Sequence, residues 1–359
     1  NTKHFKKKIE EVLVSKLFKK KKRQQISFLK IRQKHELKAN KRILRNINSL
    51  KKKYKILEVH DHHKAHAASA YFYSGWKNCY VLTIDGWGDN SSSKLYKAVN
   101  GNLSELNTTN TIDSLGYFYG SITKLLGFRP HRHEGKILGL AAYGNPQKVY
   151  KHISKMISYD KFNKCFKGNY EKGLYIAHYD NPNIKFLKKN FSPRDIASAA
   201  QKRIEEVILE FIKDNIPNGS KLALAGGVFA NVKINQKISE LNKIKEIFIF
   251  PNMGDGGLSV GCAALTYNKK SKLPITKIEN VYLGPKYSND QILKILKKKK
   301  LRYSKLKNPS KFIAQRLNEG SVVGCFQGKM EFGPRSLGNR SILVSAKDQS
   351  VNNWLNKKL

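Results

Sequence analysis

Two strand–glycine–helix units in the second half of the chain constrain its fold more than any other feature. Residues 222–225 read as a strand that runs into Gly226-Gly227 and then a helix. Residues 246–250 read as a second strand, which is followed by a glycine-rich turn at 254–257 and another helix. Strands that alternate with helices in this way are typical of an α/β protein with a largely central sheet.

Turn and capping residues predict the other main elements. Residues 79–85 read as a buried strand that ends in an acid, and Asn100-Gly101 supplies the positive φ angles of a tight hairpin turn within 94–106. Ser192-Pro193 predicts the start of a helix to about residue 214, because serine caps a helix and proline fits its first turn. Shorter patterns predict strands at 55–59 and 321–326, and helices at 114–127, 134–143, 289–299 and 310–318.

The chain has 359 residues and a formal net charge of +43, which bears on its partners. Residues 1–55 hold 21 Lys and Arg against 3 acids, and an apolar stripe from Phe5 to Leu17 recurs at helical spacing. We therefore expect residues 1–54 to form a basic helical segment. The rest of the surplus is spread along the chain, whereas nucleic-acid surfaces usually concentrate their charge in a patch. Lysine-covered solvated faces are expected, and nucleic-acid binding is the less favoured alternative.

Cysteine usage and hydropathy predict the compartment. The four cysteines are scattered and form no CxxC pair, so neither a disulfide framework nor a zinc knuckle is expected. No apolar run approaches the ~18 residues that span a bilayer. The N-terminus lacks the apolar core of a signal peptide. We expect a cytoplasmic protein without a membrane partner.

Four of the ten histidines fall within residues 60–66. His62 and His66 are four residues apart, so a helix that begins by His62 would place both imidazoles on one face, about one turn apart. Two neutral nitrogen ligands in that arrangement suit a divalent metal. A surface histidine cluster is the alternative, but the small residues at 65–70 indicate close packing.

Two acids lie where predicted strands end and could complete such a site. Asp85 ends a buried strand, and Asp255 lies in the glycine-rich turn before a helix. Loops at the carboxyl ends of strands are where α/β folds bind their ligands. An N-cap role for Asp255 and a turn role for Asp89 are the structural alternatives. With His62 and His66, these carboxylates favour a site with open positions, such as Fe(II) uses.

The glycine turns and an arginine-bearing segment predict an anion site. Gly226-Gly227 and the turn from Gly254 each join a strand to a helix, where backbone N–H groups favour a nucleotide phosphate. Tight turns are the alternative reading. In the segment 328–341, Arg335 and Arg340 could clamp a phosphate or carboxylate, with a rigid turn as the alternative.

Five segments, in order, resemble the nodulation-protein-U-type O-carbamoyltransferases, which include enzymes of antibiotic and Nod-factor tailoring. The likeness covers about residues 55 to 345. The segments are His62–Ala70, Asp85-Gly86, Glu134–Lys136 with Gly139–Gly144, Gly226–Asn231 and Met330–Ser341.

The resemblance implies a duplicated actin/Hsp70-like fold of the ribonuclease-H-like class. It predicts a metal- and nucleotide-binding carbamoyltransferase domain at 55–275. Residues 276–359 would form a linker and the start of a second lobe similar to threonylcarbamoyl-AMP synthases. Residues 1–54 would be an insert that follows a first hairpin. We expect that hairpin and most of the second lobe to lie outside this sequence, which we interpret as a fragment.

The resemblance also implies an activity. In this family the second lobe makes carbamoyl-adenylate from carbamoyl phosphate and ATP. The first lobe then transfers the carbamoyl group to a hydroxyl of a small molecule or glycan, using a bound iron. By the matching motifs, that metal, Fe(II) or another divalent ion, falls on His62, His66, Asp85 and Asp255.

The adenylate contacts implied by the resemblance fall around Gly226, Gly227 and Asn231, beside the turn at Gly254. The group that takes the acceptor's proton stays open at this point. His63 or His60 could do so, or could instead orient the metal ligands.

Other functions remain as alternatives. Two share the fold: hydrogenase-maturation carbamoyltransferases, whose zinc fingers and acylphosphatase segment this sequence lacks, and tRNA threonylcarbamoyl transferases, which would lack the segment 330–341. A basic nucleic-acid-binding protein is the alternative of another class.

Overall fold

A computed structural model describes residue 42 and residues 45–50, 52–53, 58–348, 350–351 and 354–355. Two compact units divide between Lys277 and Ile278. The described residues before residue 54 are helical, and the stripe from Phe5 to Leu17 lies outside the described residues. The strand predicted at 55–59 is not seen where the structure describes it, since residues 58 and 59 have no regular structure.

The first unit is a mixed α/β structure, as the alternating pattern predicts. Its strands are β1 (Asn78–Gly88), β2 (Ser91–Val99), β3 (Asn102–Asn110), β4 (Ile157–Asp160), β5 (Cys165–Gly168), β6 (Ser220–Ala225) and β7 (Ile244–Ile249). Its helices are α1 (His62–Phe72), α2 (Leu115–Leu125), α3 (Glu134–Ala141), α4 (Gln147–Ile153), α5 (Lys185–Asn190), α6 (Pro193–Asn215), α7 (Val232–Ser239) and α8 (Leu258–Ser271).

A five-stranded sheet of order β3-β2-β1-β6-β7 forms the centre of this unit. β1 to β3 form an antiparallel meander, whereas β6 and β7 run parallel to β1. Asn100 and Gly101 have φ angles of 46° and 88°, which confirms the predicted hairpin turn. The carboxyl ends of β1, β6 and β7 therefore meet at one edge of the sheet. The described residues contain one sheet of this kind, and the duplication implied by the resemblance stays a prediction.

Alternation along β1 sends its side chains into two different environments. Leu82 and Ile84 pack in the main core with apolar residues of α2 and α6. Thr83 points the other way and hydrogen-bonds His63 of α1 at 2.9 Å. Successive strand residues face opposite sides of the sheet. Asp85 therefore lies on the same face as Thr83, toward α1, and residue 86 lies on the same face as Ile84, toward α2.

Small residues let α1 pack closely against α8. The alanines of α1 are buried, and a Cβ on Gly261 of α8 would lie 1.8 Å from the Ala65 carbonyl oxygen. The alanine-rich stretch after His62 is therefore an interior helix face. This contact fixes α8, and with it the turn that carries Asp255, beside α1.

The second unit is smaller, and up to residue 348 its described residues form two helices and one strand pair; residues 350–351 and 354–355 are also helical. Neither helix buries a residue fully, and β8 pairs with β9 in antiparallel fashion. The elements are α9 (Asn289–Lys298), α10 (Pro309–Asn318), β8 (Val323–Phe326) and β9 (Arg340–Leu343).

No helix in the described part of either unit combines the length and apolar character needed to cross a bilayer.

The contact between α1 and α8 gives a stability prediction. Gly261→Ala should lower the free energy of unfolding by about 1–3 kcal/mol, because the added methyl overlaps a backbone oxygen that cannot easily move. Gly139→Ala is the matched control in α3, where an added Cβ meets nothing within 4 Å. It should be neutral or stabilising by about 0.5–1 kcal/mol, as expected for alanine in a helix. Urea unfolding of both variants measures the difference, and equal stabilities would contradict the packing.

Candidate metal centre

Two carboxylates fix the start of α1. Asp61 is the N-cap residue: its Oδ1 accepts the Lys64 N–H at 2.8 Å, and its Oδ2 accepts from Lys94 Nζ at 3.1 Å. Asp89 accepts the His62 N–H at 2.8 Å. Asp89 itself has a φ of 48°, so the turn role considered for it describes it well. Together these bonds set where the helix begins and so how His62 is oriented.

The structure brings together the four side chains that the sequence predicts as ligands. One ligand atom from each of His62, His66, Asp85 and Asp255 lies within 4.8 Å of the others. His66 Nε2 is 3.1 Å from Asp85 Oδ2 and 3.5 Å from Asp255 Oδ1. His62 Nε2 is 3.6 Å from each of the same two oxygens. Both imidazoles therefore direct the same nitrogen at the same pair of carboxylates.

These distances suit a single cation. Neighbouring ligands that bind one ion at about 2.0–2.2 Å lie about 3–3.5 Å from each other. His62 Nε2 is also buried without a hydrogen-bond partner among the described residues. A buried polar atom of this kind destabilises the fold unless a hydrogen bond or a bound ion satisfies it. Two nitrogens and two carboxylate oxygens form a donor set for a divalent transition metal such as iron. The residues present fit the metal that the resemblance implies.

The electrostatics of the cluster favour positive charge between the carboxylates. Burial alone would raise the pKa of Asp85, but contacts with His62 and His66 outweigh it and hold the pKa well below its usual value. Burial would likewise lower the pKa of His66, but hydrogen bonds to Asp255 and Asp85 outweigh it and raise the pKa. The site thus stabilises an ionised carboxylate, as a cation would require.

Asp255 reaches the cluster from a turn rather than from a helix end. It opens a 3₁₀ turn over Asp255–Gly257, and no side-chain capping bond is made there. The N-cap role considered for Asp255 is therefore not what the structure shows. Its side chain is 73% exposed, against 0% for His66, so one side of the cluster is open to solvent.

The two other histidines of the segment lie beside the cluster in different ways. His63 is completely buried and contacts Thr83, and burial with the neighbouring His62 and His66 lowers its pKa to about 3. Its hydrogen bond goes to Thr83 and not to one of the four predicted ligands, so both the proton-accepting and the orienting role stay predictions. His60 instead contacts Thr266 of α8 through Nε2 at 2.7 Å.

The glycine turns after β6 and β7 meet next to Asp85. Gly226 has a φ of 101°, and a Cβ there would lie 2.2 Å from the Ile84 carbonyl oxygen, so close packing on β1 requires glycine. Its N–H donates to the Met253 carbonyl at 2.6 Å, which joins the two turns. A Cβ on Gly227 would lie 3.1 Å from Asp85 Oδ1, whereas one on Gly254 would meet nothing within 4 Å.

Asn231 holds the first of these turns in place. Its side-chain oxygen accepts the N–H groups of Lys233 and Ile234 and so caps α7, while its amide nitrogen donates to Gln201 at 2.8 Å. Tyr119 donates to the same Gln201 oxygen at 2.8 Å. These bonds show how Asn231 holds the turn, and its contact with an adenylate stays a prediction.

The arginine segment belongs to the second unit and is organised by Glu331, an acid for which the local sequence pattern predicts no role. Oε1 of Glu331 accepts the backbone N–H groups of Leu337, Asn339 and Arg340. The Arg340 guanidinium lies 3.7 Å over the Phe326 ring and donates to backbone carbonyls. For Arg340 this favours the rigid-turn alternative. Arg335 is exposed in the same segment.

Two other residues near the cluster were missed from the sequence. A Cβ on Gly88 would lie 2.2 Å from the His62 ring, so this glycine leaves room for a predicted ligand. Its position three residues after Asp85, in the run Asp-Gly-Trp-Gly, is a signal that could have found it. Lys94, which holds the Asp61 cap, has no such local signal because it lies 33 residues away.

Comparison with known proteins places the chain in a family. Residues 1–264 match the family described as carbamoyltransferase N-terminus, and residues 314–359 match carbamoyltransferase C-terminus. The chain belongs to the carbamoyltransferase family.

Three relatives illustrate the likeness. An uncharacterized protein of Methanocaldococcus jannaschii is 33% identical over 84% of this chain and 53% of its own length. Nodulation protein NolNO of Sinorhizobium fredii is 28% identical over 82% of this chain and 44% of its own length. The 3'-hydroxymethylcephem-O-carbamoyltransferase of Streptomyces clavuligerus is 25% identical over 64% of this chain and 42% of its own. The chain spans about half the length of the relatives it matches.

The Asp61 cap gives a prediction for the helix that carries both histidines. Asp61→Ala should lower the free energy of unfolding of the metal-free chain by about 1–2 kcal/mol, because the Lys64 N–H loses its acceptor. Asp61→Asn keeps an acceptor oxygen and loses only the charge opposite Lys94. It should therefore lower the free energy of unfolding by about half as much as Asp61→Ala does. Urea unfolding of the two variants tests this, and an equal loss in both would show that the cap is not the stabilising contact.

Proposed function

We propose that this chain carries the transferase site of an O-carbamoyltransferase. In this proposal a carbamoyl group passes from carbamoyl-adenylate to a hydroxyl of a small molecule or glycan. The observation that carries it is the convergence of His62, His66, Asp85 and Asp255 at the carboxyl ends of β1 and β7, in a member of the carbamoyltransferase family. The Streptomyces relative, a 3'-hydroxymethylcephem-O-carbamoyltransferase, supports a hydroxyl as the acceptor.

The four converging side chains would hold Fe(II), or another divalent cation, through two imidazole nitrogens and two carboxylates. When bound, such an ion supplies Lewis-acid chemistry toward a carbonyl oxygen. The protein's own contribution is to hold the ligands rigidly. The buried His66 and the packed α1–α8 contact hold the ligands on one side, while the exposed side of Asp255 leaves room for substrate.

The nucleotide is proposed to lie along the two glycine turns. Gly227 and Gly254 carry no side chains that would separate an adenylate from Asp85, and the space around Gly254 is open. Because the Gly226 N–H is already engaged by Met253, its role is to shape the turn rather than to bind phosphate. Asn231 acts through its cap on α7 in the same way.

The wider reaction and fold are part of the proposal. Carbamoyl-adenylate would be formed from carbamoyl phosphate and ATP by a lobe to which the second unit contributes, with Arg335 as the remaining candidate clamp. The match of residues 314–359 to the family's C-terminal part supports this assignment. The duplicated actin/Hsp70-like fold is also part of the proposal. A reducing, cytoplasmic compartment is proposed as well, and the four free cysteines support it.

Metal analysis of anaerobically purified protein tests the proposal. We expect about one iron per chain. His66→Ala should remove most of it, because His66 contacts both carboxylates. His152→Gln is the matched control, since His152 packs against Phe186 and Phe191 instead. Iron that is absent from the wild type, or that persists in the His66 variant at the control level, would contradict the assignment.

A further inference from the structure

A second group of side chains lies on the opposite side of the β1 end from the histidines. The Tyr179 hydroxyl is 3.6 Å from the point where a Cβ on Gly86 would lie. The Gly86 N–H in turn donates to Asp85 Oδ1 at 2.6 Å. The phenol is therefore separated from a proposed metal ligand by a single residue that has no side chain.

Packing on α2 holds the Tyr179 ring in this position. A Cβ on Gly120 would lie 2.4 Å from the ring, so the ring occupies the space that this glycine leaves free. The Tyr117 ring packs beside it, with centroids 4.8 Å apart. Gly120 thus leaves the space in which the Tyr179 ring sits, and the hydroxyl of that ring faces Gly86 at ordinary contact distance.

His131 is held against Tyr179 in an unfavourable backbone conformation. Its φ is 67°, in the left-handed region that β-carbon sterics disfavour, and its N–H donates to Glu134 Oε1 at 2.7 Å. The two rings meet edge to face with centroids 4.6 Å apart, and Nδ1 lies 3.5 Å from the Tyr179 hydroxyl. Such strain persists where surrounding contacts impose it, and it concentrates at binding sites.

We propose that Tyr179 and His131 bind the acceptor, by hydrogen bonds to its hydroxyl groups and by packing of their rings against it. This inference rests on the proposed carbamoyl transfer. A phenol and an imidazole both donate and accept hydrogen bonds, as recognition of a hydroxyl requires. The aromatic faces offer apolar area to the C–H face of a ring. An acceptor held here lies beside Gly86, whose N–H donates to the Asp85 carboxylate.

Two variants separate binding from backbone strain. Tyr179→Phe removes the hydroxyl and keeps the ring in its slot. His131→Gly removes the imidazole and also relieves the positive φ, so it should leave the Tm unchanged or raise it. The controls are Tyr267→Phe, at a tyrosine 54% exposed on α8, and Lys164→Gly, at another residue of positive φ, 50°, between β4 and β5.

Saturation-transfer NMR with methyl β-D-glucopyranoside on the iron-loaded full chain is the measurement. The wild type should bind this probe with a Kd in the millimolar range. Tyr179→Phe and His131→Gly should each raise the Kd at least 5-fold while iron content stays at the wild-type level. Tyr267→Phe and Lys164→Gly should bind as the wild type does.

The outcomes distinguish this inference from the proposed function. If the wild type binds iron but no glucoside, or if both site variants bind the glucoside as the wild type does, the acceptor site is overturned and the metal assignment stands. If His131→Gly lowers the Tm and Lys164→Gly does not, His131 is a structural residue and the inference fails. If the wild type holds no iron, the proposed function itself fails.

Discussion

The contact between the Asp85 carboxylate and the His66 imidazole, at 3.1 Å, is the interaction on which the rest of the site depends. It joins the central strand of the sheet to the helix that packs over it, and both side chains are largely removed from solvent. Two charged groups are seldom placed in such surroundings without further partners, because desolvation opposes them. Here the partners are His62 and Asp255, and a bound cation would complete the balance of charge.

The fold supports this contact through close approaches that only small residues allow. Gly261 admits the Ala65 carbonyl, Gly88 admits the His62 ring, and Gly226 admits the Ile84 carbonyl. Each glycine allows the close approach of a helix, strand or turn. That element either carries one of the four predicted ligands or lies next to an element that does. Substitutions at these places would therefore act on the site through backbone displacement, without removing a ligand.

Sequence patterns predicted most of the elements and the convergence of the four side chains, because those signals are local or follow from topology. The four-residue spacing of His62 and His66 requires one helix, and the carboxyl ends of parallel strands meet, so Asp85 and the turn at Asp255 could be expected at one edge. The roles of other residues depend on distant partners that no local pattern encodes. Gly226 packs on Ile84, Arg340 lies over Phe326, and Lys94 holds the Asp61 cap from another strand.

X-ray absorption at the iron edge of the metal-loaded chain shows whether the four side chains share one cation. We expect a first shell of nitrogen and oxygen only, at about 2.0–2.2 Å, with outer-shell scattering from two imidazoles that falls to one in His62→Ala. A sulfur ligand, or outer-shell imidazole scattering unchanged by that substitution, would contradict a shared site.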